Sequence, residues 1–123
     1  MTNTNYVTAG AKLKEIHKSK QLSSFKVSHA FNVSRKYIKG IERGDYAPSE
    51  PVLIALSELY QIDSHALLNL YGITMHDDVK LLMQKPQLKN IMVGCTAKPD
   101  LTPILYIEMI EEFKTMNAKY FSN

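Results

Sequence analysis

Residues that start and stop helices recur along this chain at short intervals, and they confine it to a run of brief helices. Ser23, Ser34, Ser49 and Asp63 each precede a stretch whose apolar residues repeat at three and four. A side-chain oxygen in that place accepts from the free N–H groups of a first helical turn. Gly44 and Gly72 stand where a left-handed residue closes a helix, and Asp45 to Pro48 is turn chemistry. The apolar residues between these marks are Leu13 and Ile16; Phe25, Val27 and Phe31; Tyr37, Ile38 and Ile41; Val52, Leu53, Leu56, Leu59 and Tyr60; then Leu67, Leu68 and Tyr71. No segment alternates with a period of two or gathers Val, Ile and Thr into a strand-like run. An all-α fold is predicted, with its first helix from about Ala9 to Lys20 and four more opened by the caps just named.

Beyond Gly72 the texture changes. Asp77 opens a short helix through Leu81, Leu82 and Met83 that Pro86 ends. Leu88, Ile91 and Met92 suit a further turn or two, and Gly94 to Asp100 reads as a connector. Thr102-Pro103, a cap followed by proline at the first helical position, starts a last helix to about Ala118. That helix carries Tyr106, Met109, Phe113 and Met116 at steps of three and four, with Ile104, Ile107 and Ile110 on an adjoining ridge. One neighbour in a small domain can hardly cover so wide an apolar face. These seven residues are the expected interface of a homodimer; the plainer arrangement closes the same face over helices four and five of its own chain.

The chain has 123 residues, 45% hydrophobic and 22% charged, which suits one small folded domain with an appendage. Its net charge of +3 hides a split. Residues 1–44 carry nine basic and two acidic side chains, a balance of +7, and the remainder carries six basic and ten acidic, a balance of −4. A concentrated positive segment is the footprint of a polyanion binder, although a solvated basic face kept for solubility has the same composition. No apolar run approaches the roughly 20 residues of a membrane span. Met1 to Tyr6 is polar and uncharged, unlike a signal peptide. One cysteine, Cys95, can form neither an internal disulfide nor a cysteine-rich metal site, so a reducing cytoplasm is the expected location.

Helices two and three are separated only by the stretch around Asn32-Val33, which is helix-turn-helix geometry. The corner must tolerate a positive φ, and Asn32 is the best choice after glycine. Ser28 is small where the helices approach, and Val27, Phe31, Val33, Ile38 and Ile41 anchor both sides. The stretch from Ala11 to Gly72 resembles the Cro/phage-repressor type of helix-turn-helix domain, the XRE family. The carrying residues are Leu13-Lys14-Glu15-Ile16, Leu22-Ser23, Val33-Ser34-Arg35-Lys36-Tyr37-Ile38, Ile41-Glu42-Arg43-Gly44, Pro48-Ser49, Leu53 to Leu59, and Leu67.

The resemblance implies a five-helix domain over residues 8–72 that binds operator DNA as a dimer; the apolar face described above makes residues 77–120 the expected C-terminal helical dimerisation region. It implies that the exposed start of helix three reads bases, which nominates Ser34, Arg35, Lys36 and Lys39, with Arg35 suited to fork onto guanine. Gly40 would share that face. Ser24, Lys26, Tyr37 and Arg43 are nominated for phosphates. The family usually has Gln where this chain has Ser24, Ala at Ser28, Gly at Asn32 and Arg at His17, so base preference does not carry over. His17 would face Glu42, as a structural tie between helices one and three or, more sharply, as a pH switch.

His29, His65 and His76 share no metal-ligand spacing with Cys95 or one another and read as surface residues. No nucleophile–base pair, phosphate-binding glycine loop or paired-carboxylate site stands out. The expectation is a DNA-binding transcriptional repressor without enzymatic activity, metal or cofactor, whose effector, if any, is a protein or peptide. The rivals are the DNA-binding antitoxin of a toxin pair, and an interaction module that has lost DNA.

Overall fold

The computed structural model describes residues 4–120; the first three residues of the segment read as unlike a signal peptide lie outside it. Eight α-helices follow one another: α1 (Thr4–Ser19), α2 (Ser24–Phe31), α3 (Arg35–Arg43), α4 (Glu50–Tyr60), α5 (Ser64–Leu70), α6 (Asp77–Met83), α7 (Pro86–Thr96) and α8 (Pro103–Met116), with a 3-10 turn at Ala118–Tyr120. There is no strand among the described residues, and none of their helices is long and apolar enough to cross a membrane.

The caps act as the sequence implies. Hydroxyls of Ser23, Ser34, Ser49 and Thr102 accept from the backbone N–H three residues on, and the Asp63 carboxylate accepts from His65. Asn32 turns the corner between α2 and α3 at φ 55° and ψ 42°, and Gly44 closes α3 at φ 85°. Gln21 and Gln61 also take positive φ, near 60°, which nothing in their residue type announces.

α1 and α3 meet almost backbone to backbone. A Cβ on Gly10 would lie 2.3 Å from the Ile41 carbonyl oxygen and 2.7 Å from that of Glu42. A Cβ on Gly44 would lie 2.6 Å from Val7 Cα. Around this contact Leu13, Val27, Ile38, Ile41, Leu53, Leu56, Tyr60, Leu67 and Leu68 form the core, and it continues without a break into Val79, Leu82, Met92, Val93, Ile110 and Phe113.

That continuity alters the C-terminal half. The stretch from Gly94, expected to be connector, is the last turn of α7 as far as Thr96. Thr96 is fully buried because its hydroxyl meets Ser49 Oγ at 2.7 Å and donates to the Met92 carbonyl, tying the end of α7 to the start of α4. Pro86 is the first residue of α7. Among the residues expected to form a dimer interface, Ile110 and Phe113 are buried against the chain's own core, and half-buried Tyr106 packs against it. The Tyr106 hydroxyl donates to Glu50 Oε1 at 3.0 Å. Met109 is half-buried, while Ile104, Ile107 and Met116 face outward.

Glu50 is buried at the junction of these halves. Its carboxylate also accepts from the His76 backbone N–H at 2.7 Å and pairs with His76 Nδ1 at 3.0 Å. The hydrogen bond to Glu50, and then its charge, hold the largely exposed His76 imidazole above its ordinary pKa, with Asp78 adding to the effect.

Two outcomes follow from this packing. Gly10→Ala adds helix propensity worth about 1 kcal/mol, yet it forces α1 off α3 and is expected to lower stability in urea unfolding by about 1–3 kcal/mol; a more stable variant would contradict the contact. Because the folded pKa of His76 is raised, its contribution is fully present below about pH 6.5 and is lost as pH rises through the raised value. His76→Ala should therefore destabilise more in acid than in alkali, read as the unfolding midpoint against pH; a penalty that grows towards alkali would contradict the pairing.

Candidate nucleic-acid interface

Only one face of α3 is committed to the core. Tyr37, Ile38, Gly40 and Ile41 are buried, while Arg35, Lys36, Lys39 and Arg43 are exposed. The pattern follows from the helical period: the apolar residues at 37, 38 and 41 turn inward and the basic ones are left on the opposite side. Ser34 is exposed at the N-cap, and its oxygen accepts from Tyr37 N at 3.0 Å. The hydroxyl proton stays available to donate.

Two expectations for this helix change. Tyr37, nominated for phosphate, is 3% exposed; its ring stacks on Tyr46 at 5.5 Å and its hydroxyl is enclosed beside the Ser49 backbone. Burial pushes its pKa well above the ordinary tyrosine value. The side chain cannot reach a phosphate from there. Gly40, expected on the outer face, lies under the Tyr46 ring: a Cβ would sit 2.1 Å from the Tyr46 hydroxyl. That hydroxyl donates to the Tyr37 carbonyl at 3.2 Å, so the residue three positions after α3 folds back and clasps it. The glycine is a seat for an aromatic ring, a tertiary reason invisible to helical periodicity.

A groove of about 550 Å³ opens beside α3, between the second half of α1 and the start of α2. Lys14 and Lys18 line it from α1, Lys39 and Arg43 from α3, and Ser23 and Ser24 from the positive end of α2. Each basic pair is spaced i, i+4, an arrangement that costs a few tenths of a kcal/mol in an isolated helix, and Glu42 is the acid in the same lining. Lys14 and Lys18 were not among the nominated residues, although their spacing was a usable signal. Ser24 is half-buried at the first position of α2, and Lys26 is exposed on the same helix outside the groove. Arg43 makes two bonds to Asp45 Oδ2, at 2.9 and 3.1 Å. Both groups are exposed, so this ion pair holds Arg43 only weakly.

His17 and Glu42 meet where the groove is walled by α1 and α3. The imidazole Nδ1 is hydrogen-bonded to the carboxylate, and each side chain is only 7% exposed. The contact joins the helix that supports α3 to α3 itself. Phe25 faces outward on α2, stacked on His29 at 5.9 Å. No group of His, Cys, Asp and Glu side chains among the described residues is arranged to hold a metal ion.

Tyr37→Phe removes a hydroxyl that the fold encloses beside the Ser49 backbone and should leave stability within about 1 kcal/mol of the parent. DNA affinity should be unchanged in an anisotropy titration; a marked loss would return Tyr37 to the contact surface.

A family model described as helix-turn-helix matches residues 13–75, spanning α1 from Leu13 to the link before α6. Comparisons with curated proteins and with solved structures return no significant match. The family is one of DNA-binding transcription regulators. With a match covering half its length and α2, the Asn32 corner and α3 in place, the chain belongs to the helix-turn-helix regulators of the Cro/C1 (XRE) type.

Proposed function

We propose that this chain binds specific double-stranded DNA sequences as a homodimeric cytoplasmic repressor, with α3 in the major groove. The observation that carries the reading is the division of α3: an apolar side held by the core and an outward side bearing Arg35, Lys36 and Lys39. These three with Ser34 are the base readers. Arg35 stands at the first position of the helix, where its fork can meet O6 and N7 of guanine. Ser24, Lys26 and Arg43 take phosphates, and the basic groove adds Lys14 and Lys18 to that set. Repression in preference to activation rests on the resemblance to phage repressors. An effector, if one acts on the C-terminal half, would be a protein or peptide.

The division of labour follows the charge: residues 8–72 hold the duplex and residues 77–120 hold the second copy. The large exposed hydrophobics Ile91, Ile104, Leu105, Ile107 and Met116 lie on α7 and α8, with Val7 on α1 and Phe25 on α2 exposed elsewhere. A two-fold dimer joined there would present two α3 helices to half-sites about one DNA turn, roughly 34 Å, apart. Because Tyr106, Ile110 and Phe113 are occupied within the chain, the dimer contact is narrower than the sequence suggests. Removing residues 101–123 would open the core, so truncation is a poor test. The same apolar face is what an antitoxin would offer its toxin, and co-purification of a neighbouring gene product is the result that would favour that reading.

Arg35→Ala should cost about 1–3 kcal/mol on a selected site and relax preference at one base pair, whereas Lys14→Ala should weaken all sequences alike and lower the log–log salt slope by about 1. Competition binding at several salt concentrations separates the two; an Arg35 variant that loses affinity uniformly would contradict base reading. Ile104→Glu with Ile107→Glu should give a folded monomer in sedimentation, since both side chains are exposed. A dimer that survives this double change would place the interface elsewhere.

A further inference from the structure

The turn after α3, the link between α5 and α6 and the link between α7 and α8 converge on a cavity of about 490 Å³. None of the residues assigned to DNA lines it. Its walls are aromatic and apolar, with Tyr6, Tyr46, Tyr106, Pro48, Leu101 and Pro103. Glu50 also lines it, with a side chain only 2% exposed. The donors to this carboxylate are the Tyr106 hydroxyl at 3.0 Å, the His76 backbone N–H at 2.7 Å and His76 Nδ1 at 3.0 Å. Of these only the His76 imidazole, whose pKa the carboxylate raises, can carry a positive charge, and it is largely exposed. The carboxylate has about four acceptor positions, so one remains for a further donor. Asp45, the other acid in the lining, is occupied by Arg43. Lys98 is exposed in the wall opposite.

A buried carboxylate whose one cationic neighbour is a largely exposed imidazole keeps a negative potential at the wall of this open cavity. Tyrosine faces add attraction for positive charge, and a volume of this size suits a small organic molecule. We propose that the cavity binds a small organic cation, an ammonium group on a compact aromatic or aliphatic body, with the charge directed to Glu50 and the body against the tyrosine rings. Such a ligand would touch Tyr46, whose ring covers Gly40 and whose hydroxyl holds the Tyr37 carbonyl. The site is therefore one side chain away from α3.

Benzylamine and its neutral isostere benzyl alcohol test the charge requirement, in heteronuclear NMR titrations of the full chain. Benzylamine should give saturable amide shifts in residues 45–50, 73–76 and 98–106, with benzyl alcohol weaker by about tenfold or more. Glu50→Gln should abolish the difference between the two. Since Glu50 is buried and that variant can fail to fold, Lys98→Glu supplies a second test on an exposed side chain: it should tighten benzylamine several-fold and leave benzyl alcohol unchanged. Equal binding of the two probes, absence of saturation by benzylamine, shifts centred elsewhere, or a Lys98→Glu variant with no tighter binding would each overturn the proposal. The readout involves no DNA, so its failure would leave the DNA-binding reading standing.

Discussion

The support of α3 by α1 is the contact on which the remaining architecture depends. Two glycines, Gly10 in α1 and Gly44 at the end of α3, let the backbones approach to distances that any Cβ would forbid. Leu13 and Ile41 fill the space beside them, and the His17–Glu42 pair closes the edge. With its inner side fixed in this way, α3 has only its basic side left for a partner. The cost of close-packing one face is small when the residues there are glycine and aliphatic. The cost of crowding Arg35, Lys36, Lys39 and Arg43 on the other is repulsion that a polyanion relieves.

The C-terminal helices complete the same core. Ser49 both caps α4 and meets Thr96 of α7, while Glu50, the next residue, holds α6 through His76 and α8 through Tyr106. Two adjacent residues thus attach three helices to the turn that follows α3. Burying Glu50 is tolerable because donors surround it. The arrangement places whatever binds the C-terminal half within reach of α3.

Much of this was legible in the sequence wherever the cause is local. Ser23, Ser34, Ser49, Asp63 and Thr102 cap because their side chains reach their own next turn, and Asn32 and Gly44 take positive φ because their residue types permit it. The outward set on α3 follows from helical period. What escaped has a distant cause. Gly40 is glycine because Tyr46 returns to cover it. Thr96 is helical because Ser49, 47 residues away, supplies its partner. Glu50 carries no local mark of burial, since an acid in a first helical turn is ordinary at a surface. Lys14 and Lys18 had a visible spacing, but that they share a groove with Lys39 and Arg43 required α1 to be placed against α3.

Whether α3 enters the major groove decides the proposed function. Dimethyl sulfate footprinting on duplexes selected from a random pool reads this directly, since the reagent methylates guanine N7 in the major groove and adenine N3 in the minor groove. Protection of guanine N7 is the expected result, lost at one guanine of each half-site when Arg35 is replaced by alanine. Protection confined to adenine N3, or guanine protection that persists without Arg35, Lys36 and Lys39, would contradict it.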